Sequence, residues 1–193
     1  MLGDPNCSVD ISGIASPISD GTVASHENTE SLMDGISMIS MKLDSDTKKS
    51  VEALTSEGMS DEEKNVLVSE LSNFSGKEVF EFSTCNRVLY VGFGINPDEL
   101  VLAVEGVIGV SEAEFLKSSG MAVWRDLVRI CSGLDSFILG ELQVMGQFRD
   151  AVAWHKENGH VSAVNSSLFD HVISANRIVR KEMSFDKTTE SML

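Results

Sequence analysis

Short stretches of alternating hydrophobic and polar residues are interleaved with longer stretches in which hydrophobic residues recur every three or four positions. Alternation predicts β-strands, and the longer spacing predicts amphipathic helices. Strands are expected at 36–43, 77–83 and 87–93. Helices are expected at 47–56, from 60 to about 72, from 97, from 111, at 121–131, from 140, and at 165–183. This order predicts an α+β fold, with a small, mostly antiparallel sheet, helices packed on it and a helical C-terminal part.

Capping sequences mark two of these helix starts. Ser60 is followed three positions later by Glu63, and Ser111 is followed in the same way by Glu114. A serine with a glutamate at this spacing is the capping-box pattern, in which each side chain binds the backbone N–H of the other residue. We therefore expect a helix to begin after each serine.

Residues 1–35 differ in composition from the rest of the chain. They are rich in Ser, Gly, Asp and Asn, and their few hydrophobic residues follow neither a strand nor a helix period. Such a segment buries too little apolar surface to offset the entropy lost on folding. The sequence predicts a disordered tail at 1–35, with the folded part beginning at 36.

Composition and charge narrow the class of protein. The chain has 193 residues, 42% of them hydrophobic, and a formal net charge of -15. These values exclude a fully disordered chain and a collagen, and the acidic balance argues against holding nucleic acid by bulk charge. No apolar run is long enough for a membrane span, and no secretory signal opens the sequence. We expect a cytoplasmic protein that does not contact a membrane.

The cysteine and histidine pattern gives no metal-binding motif. Three cysteines stand far apart without a Cys-x-x-Cys pair, and only four histidines are present. A zinc site normally shows such ligands at short, regular spacing. We therefore predict free thiols in a reducing compartment and no metal site.

Cys85 is the sharpest chemical feature of the sequence. It stands where a predicted strand ends, between hydrogen-bonding residues, in the run Ser83-Thr-Cys-Asn-Arg87. If the backbone is extended here, Cys85 and Arg87 lie on one side and Thr84 and Asn86 on the other. An arginine beside a cysteine favours the nucleophilic thiolate. The alternative is a small buried cysteine that only packs at the end of a strand.

A second polar group lies between Ser132 and Gln147. Gln143 and Gln147 are four positions apart on a predicted helix, with Glu141 near its start and Gly146 between the two glutamines. Polar side chains on one face of an otherwise apolar helix suggest the lining of a pocket. A glycine on that helix would allow a ligand to approach the backbone closely. A solvated helix face and close helix packing are the alternatives.

Together, the run Ser83–Arg87, the segment SGLDS at 132–136 and the segment GELQVMGQ at 140–147 resemble the catalytic domain of glutamyl-tRNA reductase. The two groups of motifs stand in the family's order and at roughly its distance. The resemblance extends over about 36–185. It implies a catalytic domain at 36–160 and, at 161–193, a C-terminal helix leading towards an NADPH-binding domain.

The resemblance also implies a reaction. In the family, the motif cysteine attacks the glutamyl ester of glutamyl-tRNA to form a thioester, which NADPH reduces to glutamate-1-semialdehyde in tetrapyrrole biosynthesis. Cys85 would be the nucleophile, and Arg87 and Glu141 suit the carboxylate and the ammonium of glutamate. The substrate-binding positions of the family fall on Thr84, Asn86, Arg87, Ser136, Glu141, Gln143 and Gln147. Glutamyl-tRNA, a second copy of the enzyme and glutamate-1-semialdehyde aminomutase are the partners implied.

The sequence departs from the family pattern at two positions near these motifs. Asp126 stands where family members usually carry a catalytic histidine, and Leu89 stands where a glutamate is common. A carboxylate at 126 can accept a proton, but its charge opposes a thiolate nearby. These two residues favour the alternative of a non-catalytic relative that binds glutamyl-tRNA or the reductase.

The sequence also contains no G-x-G-x-x-G segment, the usual fingerprint of a dinucleotide-binding domain. We therefore expect either a piece of a longer enzyme or a natural single-domain relative, with NADPH bound outside this chain.

Basic residues and a histidine stand in the predicted C-terminal helices. Arg177, Arg180 and Lys181 form the main basic cluster, which is either a solvated helix face or a contact for tRNA phosphates. His155, near the end of a predicted helix, is expected at the surface.

Overall fold

The computed structural model describes residues 33, 35–111, 113–134 and 142–182. Within these residues the chain forms one four-stranded sheet and six helices. In chain order the elements are β1 (Ile36–Lys42), α1 (Lys48–Leu54), α2 (Asp61–Ser75), β2 (Val79–Thr84), β3 (Arg87–Phe93), α3 (Pro97–Ile108), β4 (Leu116–Ser119), α4 (Met121–Cys131), α5 (Leu142–Glu157) and α6 (Ala163–Glu182). The expected α+β fold is confirmed.

The strands lie in the order β2-β3-β1-β4, and every neighbouring pair is antiparallel. In β1, Ile36 is opposite Phe93 and Lys42 is opposite Arg87, so the two central strands pair over their whole length. The prediction of a mostly antiparallel sheet is confirmed, as are the strands expected near 36–43, 77–83 and 87–93.

Side chains alternate between the two faces of the sheet, and each face has its own hydrophobic core. Helices α4, α5 and α6 cover what we call the pocket face, which carries Met38, Phe80, Phe82, Leu89 and Val91. Helices α1, α2 and α3 cover what we call the closed face, which carries Ile39, Met41, Val79, Val88 and Tyr90. Strands β1, β2 and β3 are therefore buried on both faces, whereas the short edge strand β4 is largely exposed.

The start of α2 follows the capping pattern. The Ser60 hydroxyl accepts a hydrogen bond from the Glu63 backbone N–H, and the Glu63 carboxylate accepts one from the Ser60 N–H at 2.8 Å. The helix runs to Ser75, three residues beyond its expected end. Gly76 then reverses the chain with φ = 65°, a left-handed conformation that glycine adopts at little cost.

The helix expected after Ser111 is wrong. After the described residues 113–115, which form neither helix nor strand, the structure has the strand β4, which adds to the sheet by pairing with β1. Its sequence, LKSS, has little strand character of its own. The hydrogen-bonding edge of β1 imposes the strand, which is a tertiary effect that local periodicity does not contain.

Most of the tail expected at 1–35 lies outside the described residues, so it stays a prediction, as do the domain divisions at 36–160 and 161–193. Among the helices that the structure describes, none combines the length and the apolar character needed to cross a membrane.

Candidate functional site

The β2–β3 hairpin positions the run that contains Cys85. Thr84 pairs directly with Arg87, so Cys85 and Asn86 form a two-residue turn between the strands. The Asn86 carbonyl accepts a hydrogen bond of 2.8 Å from the backbone N–H of Leu43, which ties the turn to the end of β1. The turn is thus held on both sides by the sheet.

The structure corrects the expectation of an extended backbone at this run. Thr84 and Arg87 lie opposite each other and are both buried, whereas Cys85 is exposed and Asn86 is half-buried. The hairpin turn breaks the alternation at Cys85, and therefore Thr84 and Arg87 share the pocket face. The buried-cysteine alternative does not hold for Cys85, because its side chain reaches solvent.

A cavity of about 340 Å³ lies between the pocket face and α4. Arg87, which is only 8% exposed, borders it from β3, and Asp126 borders it from α4. The Asp126 carboxylate is 3.7 Å from Nε of the neighbouring Arg125. The cavity therefore presents a buried cation and a partly exposed carboxylate to the same space.

The C-terminal end of α4 packs behind Arg87. Cys131 is fully buried there, and burial raises the pKa of its thiol well above the ordinary value, an effect that the nearby Arg87 guanidinium opposes. A thiol of this kind is not nucleophilic at neutral pH. Of the two cysteines in the described part of the chain, only Cys85 is exposed and suited to react.

The polar residues predicted to line a pocket on α5 do not border the cavity where the structure describes them. Gln143 is exposed and Gln147 is half-buried on α5, and neither borders the cavity. Ser136 and Glu141 lie outside the described residues. Gly146 has open space where a Cβ would be, so within the described residues nothing packs closely against it.

The structure divides the basic cluster of α6. Arg177 and Lys181 are exposed, but Arg180 is buried at 6% exposure. One turn before Arg180, the buried Asn176 donates a hydrogen bond of 2.9 Å to the Ser132 hydroxyl at the end of α4. Arg180 is therefore not part of a solvated face, whereas for the exposed Arg177 and Lys181 both interpretations, a solvated face and a phosphate contact, stay predictions.

His155 is also corrected, since it is fully buried rather than at the surface. Its Nε2 atom lies 2.9 Å from the backbone carbonyl oxygen of Glu81. Its ring packs beside the Phe80 ring, with 4.6 Å between the two ring centroids. Burial lowers the pKa of His155 to about 3. The histidine is thus a neutral core residue that contacts the backbone of the edge strand β2.

Sequence reasoning missed three residues around the cavity. Ser40 and Arg129 border it directly, and Lys42 lies opposite Arg87 in the sheet. Arg129 is one helical turn after Asp126, and Lys42 follows Ser40 at strand spacing, so both periodicities were available in the sequence. The packing of α4 on the sheet brings Ser40 and Arg129 to one cavity, and the two patterns in the sequence do not reveal that packing.

The junction between β3 and α3 does not fit the pyrophosphate of a dinucleotide cofactor. The first turn of α3, which follows β3, carries Asp98 and Glu99, and the Asn96 side chain already caps the helix. Two carboxylates at a helix N-terminus repel a pyrophosphate, which needs free N–H groups there. Within the same residues, no three His, Cys, Asp or Glu side chains are grouped so as to hold a metal ion.

Comparison with known protein families gives one match over most of the chain. The model of the family "Glutamyl-tRNAGlu reductase, N-terminal domain" matches residues 45–183. This range contains the turn at Cys85, the helix that carries Asp126 and the segment with Gln143 and Gln147.

Curated relatives match the same region. A glutamyl-tRNA reductase of Shewanella amazonensis is 33% identical over 112 residues, which are 56% of this chain and 27% of that protein. One of Nitrosococcus oceani is 34% identical over 122 residues, or 60% of this chain and 29% of that protein. The chain therefore spans less than a third of the length of these relatives.

A solved structure gives the same fold. Glutamyl-tRNA reductase from Methanopyrus kandleri superposes with a TM-score of 0.60 at 22% identity, covering 78% of this chain and 35% of the other. At this identity the likeness establishes the fold alone.

Proposed function

The chain belongs to the family of glutamyl-tRNA reductase N-terminal domains, and we propose that its Cys85 accepts the glutamyl group of glutamyl-tRNA as a thioester. The observation that carries the proposal is the hairpin turn. It exposes Cys85 to solvent and is followed directly by Arg87, a buried cation that borders a cavity of about 340 Å³. A nucleophile and an anion-binding group thus lie next to each other at one end of the sheet.

The proposed step is an acyl transfer. The Cys85 thiolate attacks the carbonyl carbon of the ester that joins glutamate to the terminal ribose of the tRNA. A carbon–sulfur bond forms, the carbon–oxygen bond to the ribose breaks, and the ribose oxygen leaves with the proton that the thiol gave up. No electrons are gained or lost in this step.

Asp126 is the proposed proton carrier. It borders the same cavity as Arg87, and its side chain is 31% exposed, so it can exchange a proton with a group bound there. In this role it takes the thiol proton and returns it to the ribose oxygen.

Recognition of the glutamyl group is assigned by charge. Arg87 binds the side-chain carboxylate of glutamate with its planar guanidinium, and Glu141 binds the α-ammonium. A neutral amide in place of the carboxylate could not form the two charge-assisted hydrogen bonds with the guanidinium, which opposes glutaminyl substrates. The remaining proposed substrate-binding residues are Thr84, Asn86, Ser136, Gln143 and Gln147.

Reduction of the thioester by NADPH belongs to the family's whole reaction. No part of that step is assigned to the described residues. Glutamyl-tRNA is the proposed partner of this chain. Pairing of two copies and contact with the aminomutase are carried over from the family resemblance, and a cytoplasmic location is carried over from the sequence.

Intact-mass analysis after mixing the full chain with glutamyl-tRNA tests the proposal. We expect the mass to rise by one glutamyl group and peptide mapping to locate that group on Cys85. Cys85→Ser should show no thioester, and the matched control Cys7→Ser should behave like the parent. Release of free glutamate that depends on Cys85 would also support the proposal, since water hydrolyses an unreduced thioester.

The same experiment distinguishes the proposed acyl transfer from the alternative of a non-catalytic binding module. If glutamyl-tRNA binds but neither an adduct nor free glutamate forms, the chain is a binding module, and the Asp126 charge explains the lost reactivity. If the adduct forms equally on Cys85→Ser, the assignment of the nucleophile is wrong.

A further inference from the structure

Two cations lie near Arg87, one on the pocket face of the sheet and one on α4, and neither belongs to the motifs that the family resemblance rests on. Lys42 is opposite Arg87 in the β1–β3 register, and Arg129 borders the cavity from α4. On this basis, and resting on the proposed function, we propose that Lys42 and Arg129 bind phosphates of the single-stranded 3′ end of the tRNA while Arg87 binds the glutamyl carboxylate.

Strand alternation places Lys42 on the correct side of the sheet. Met38 and Ser40 border the cavity, and Lys42 is the next residue with the same orientation. Directly opposite residues in an antiparallel pair have their Cβ atoms roughly 5 Å apart. Lys42 thus lies beside Arg87, at the end of the sheet where the Cys85 turn lies.

The exposure of the three cations suits two different ligands. Arg87 is 8% exposed, Lys42 is half-buried and Arg129 is exposed, so accessibility increases outwards from Arg87. A small carboxylate can enter to a buried guanidinium. A phosphodiester chain that continues to the body of a tRNA must stay at the surface, where exposed Lys and Arg side chains usually contact it.

Lys117 does not belong to this group, although its segment also borders the cavity. It is opposite Ile39 on β1, so its side chain lies on the closed face, where Nζ is 2.8 Å from Asp98 of α3. Leu116, in contrast, is opposite Ser40 on the pocket face and is 70% exposed. An exposed leucine beside the cavity offers an apolar surface to the face of a nucleobase.

The net charge of the chain makes a local cation site necessary. With 30 acidic and 15 basic residues, the protein as a whole repels a polyanion. Specific cations near the reactive cysteine are therefore needed to hold the acceptor end, and Arg87, Lys42 and Arg129 are three such cations, on β3, β1 and α4.

The test measures the affinity for deacylated tRNA at several salt concentrations. Each phosphate contact to a single strand contributes about 0.7 to the slope of log affinity against log salt. The double variant Lys42→Gln/Arg129→Gln should lower the slope by about 1.4, because two such contacts are lost. The control Arg177→Gln/Lys181→Gln removes the same charge from exposed positions on α6 and should leave the slope unchanged.

Leu116→Ser sharpens the test. We expect it to weaken binding without changing the salt slope, because an apolar contact with a base releases no counterions. Circular dichroism spectra like that of the parent would show that each variant is folded.

Two results would overturn the proposal. One is an equal fall in slope for both double variants, or no salt-dependent binding by the parent. The other is an unchanged slope together with lost preference for glutamyl- over glutaminyl-tRNA, which would assign Lys42 and Arg129 to the carboxylate. Adduct formation on Cys85 is measured separately with glutamyl-tRNA, so failure of the thioester proposal remains distinguishable from either result.

Discussion

The two strands of the β2–β3 hairpin each bury one charged side chain, on opposite faces of the sheet. Glu81 on the closed face is fully buried, with Ser56 and Ser83 donating hydrogen bonds to its carboxylate and Lys64 Nζ 3.4 Å away. Arg87 on the pocket face is nearly as buried, but it borders an open cavity. The carboxylate of Glu81 is surrounded by protein donors on the closed face, whereas Arg87 borders a cavity that a ligand can enter.

This difference separates a structural charge from the charge that we propose binds the substrate. Burying a charged group is costly unless its hydrogen bonds are satisfied, and for Glu81 the neighbouring side chains satisfy them. The closed face is consistent with this arrangement, since Tyr90, opposite Glu81, is buried, and its hydroxyl donates a hydrogen bond of 2.7 Å to the Leu54 carbonyl. Burial, followed by the Glu81 charge, raises the pKa of Tyr90 well above its ordinary value.

Glu81→Ala breaks the structural side of the comparison and should have the largest effect. It leaves the hydroxyls of Ser56 and Ser83 without their acceptor and Lys64 without its partner. We expect the free energy of unfolding to fall by about 3 kcal/mol, measured by urea denaturation. The preference of the folded fraction for glutamyl- over glutaminyl-tRNA should not change. A loss of preference would show that the closed face also sets specificity.

Arg87→Gln breaks the binding side. We expect the ratio of acylation rates for glutamyl- and glutaminyl-tRNA to fall about 100-fold, because a buried cation is replaced by a group that accepts either substrate. Arg87→Lys should keep part of the preference, since an ammonium retains the charge but not the two-pronged geometry. An unchanged ratio in both variants would assign recognition of the carboxylate to another residue.

These two side chains also show how far sequence reasoning reaches. Strand alternation predicts that Glu81 and Arg87 lie in strands, and the resemblance points to Arg87. Neither predicts that Ser56, 25 residues before Glu81, donates a hydrogen bond to its carboxylate, because that contact depends on how α1 packs against the sheet. Likewise, β4 forms only because β1 offers it an edge, and with it comes the wall of the cavity at Leu116.

The histidine at the edge of the sheet has a similar explanation. A histidine beside Trp154 and Lys156 on a helix end is usually exposed, and a single sequence does not reveal the turn of α5 towards β2. His155 becomes a core residue because its ring reaches the backbone of Glu81 at the unpaired edge of β2. The sequence therefore predicts the helices and strands well. It predicts poorly which polar side chain of one element forms hydrogen bonds with another.

The pH dependence of stability tests the edge contact of His155. Burial lowers its pKa from 6.5 to about 3 in the folded protein, and Lys64 and His160 add to this effect. Between these values the unfolded chain binds the extra proton, so stability falls as the pH drops below 6.5. We expect a loss of about 2 kcal/mol at pH 5 relative to pH 7, at up to about 1.4 kcal/mol per pH unit.

His155→Gln should flatten this pH dependence in urea titrations, because glutamine keeps a hydrogen-bonding group but does not titrate. The exposed His171 of α6 provides the control, and His171→Gln should leave the profile as in the parent. An unchanged profile in His155→Gln would assign the acid sensitivity to other groups.

Gly92→Ala measures how tightly the closed face is packed. A Cβ at Gly92 would overlap Ile95 Cγ2 and would lie 3.4 Å from both terminal methyl groups of Leu100. We expect the free energy of unfolding to fall by about 1.5 kcal/mol through overpacking. If the clash is with Ile95, the double variant Gly92→Ala/Ile95→Ala will lose less than the sum of the two single changes. Strict additivity would place the strain elsewhere.

Gly146→Ala provides the matched measurement on α5, which covers the pocket face. It has the smallest expected effect, and it should raise the free energy of unfolding rather than lower it. Gly146 lies in the second turn of α5, and among the described residues no atom outside its own stretch of helix comes within 4 Å of its Cβ position. Replacing a glycine by alanine inside a helix with open space should raise stability by about 1 kcal/mol. Thermal unfolding measures this gain, and acylation of Cys85 should proceed at the parent rate. A slower rate with the stability gain intact would mean that a bound tRNA approaches the backbone of α5 at Gly146, which would extend the binding surface from the cavity to this helix.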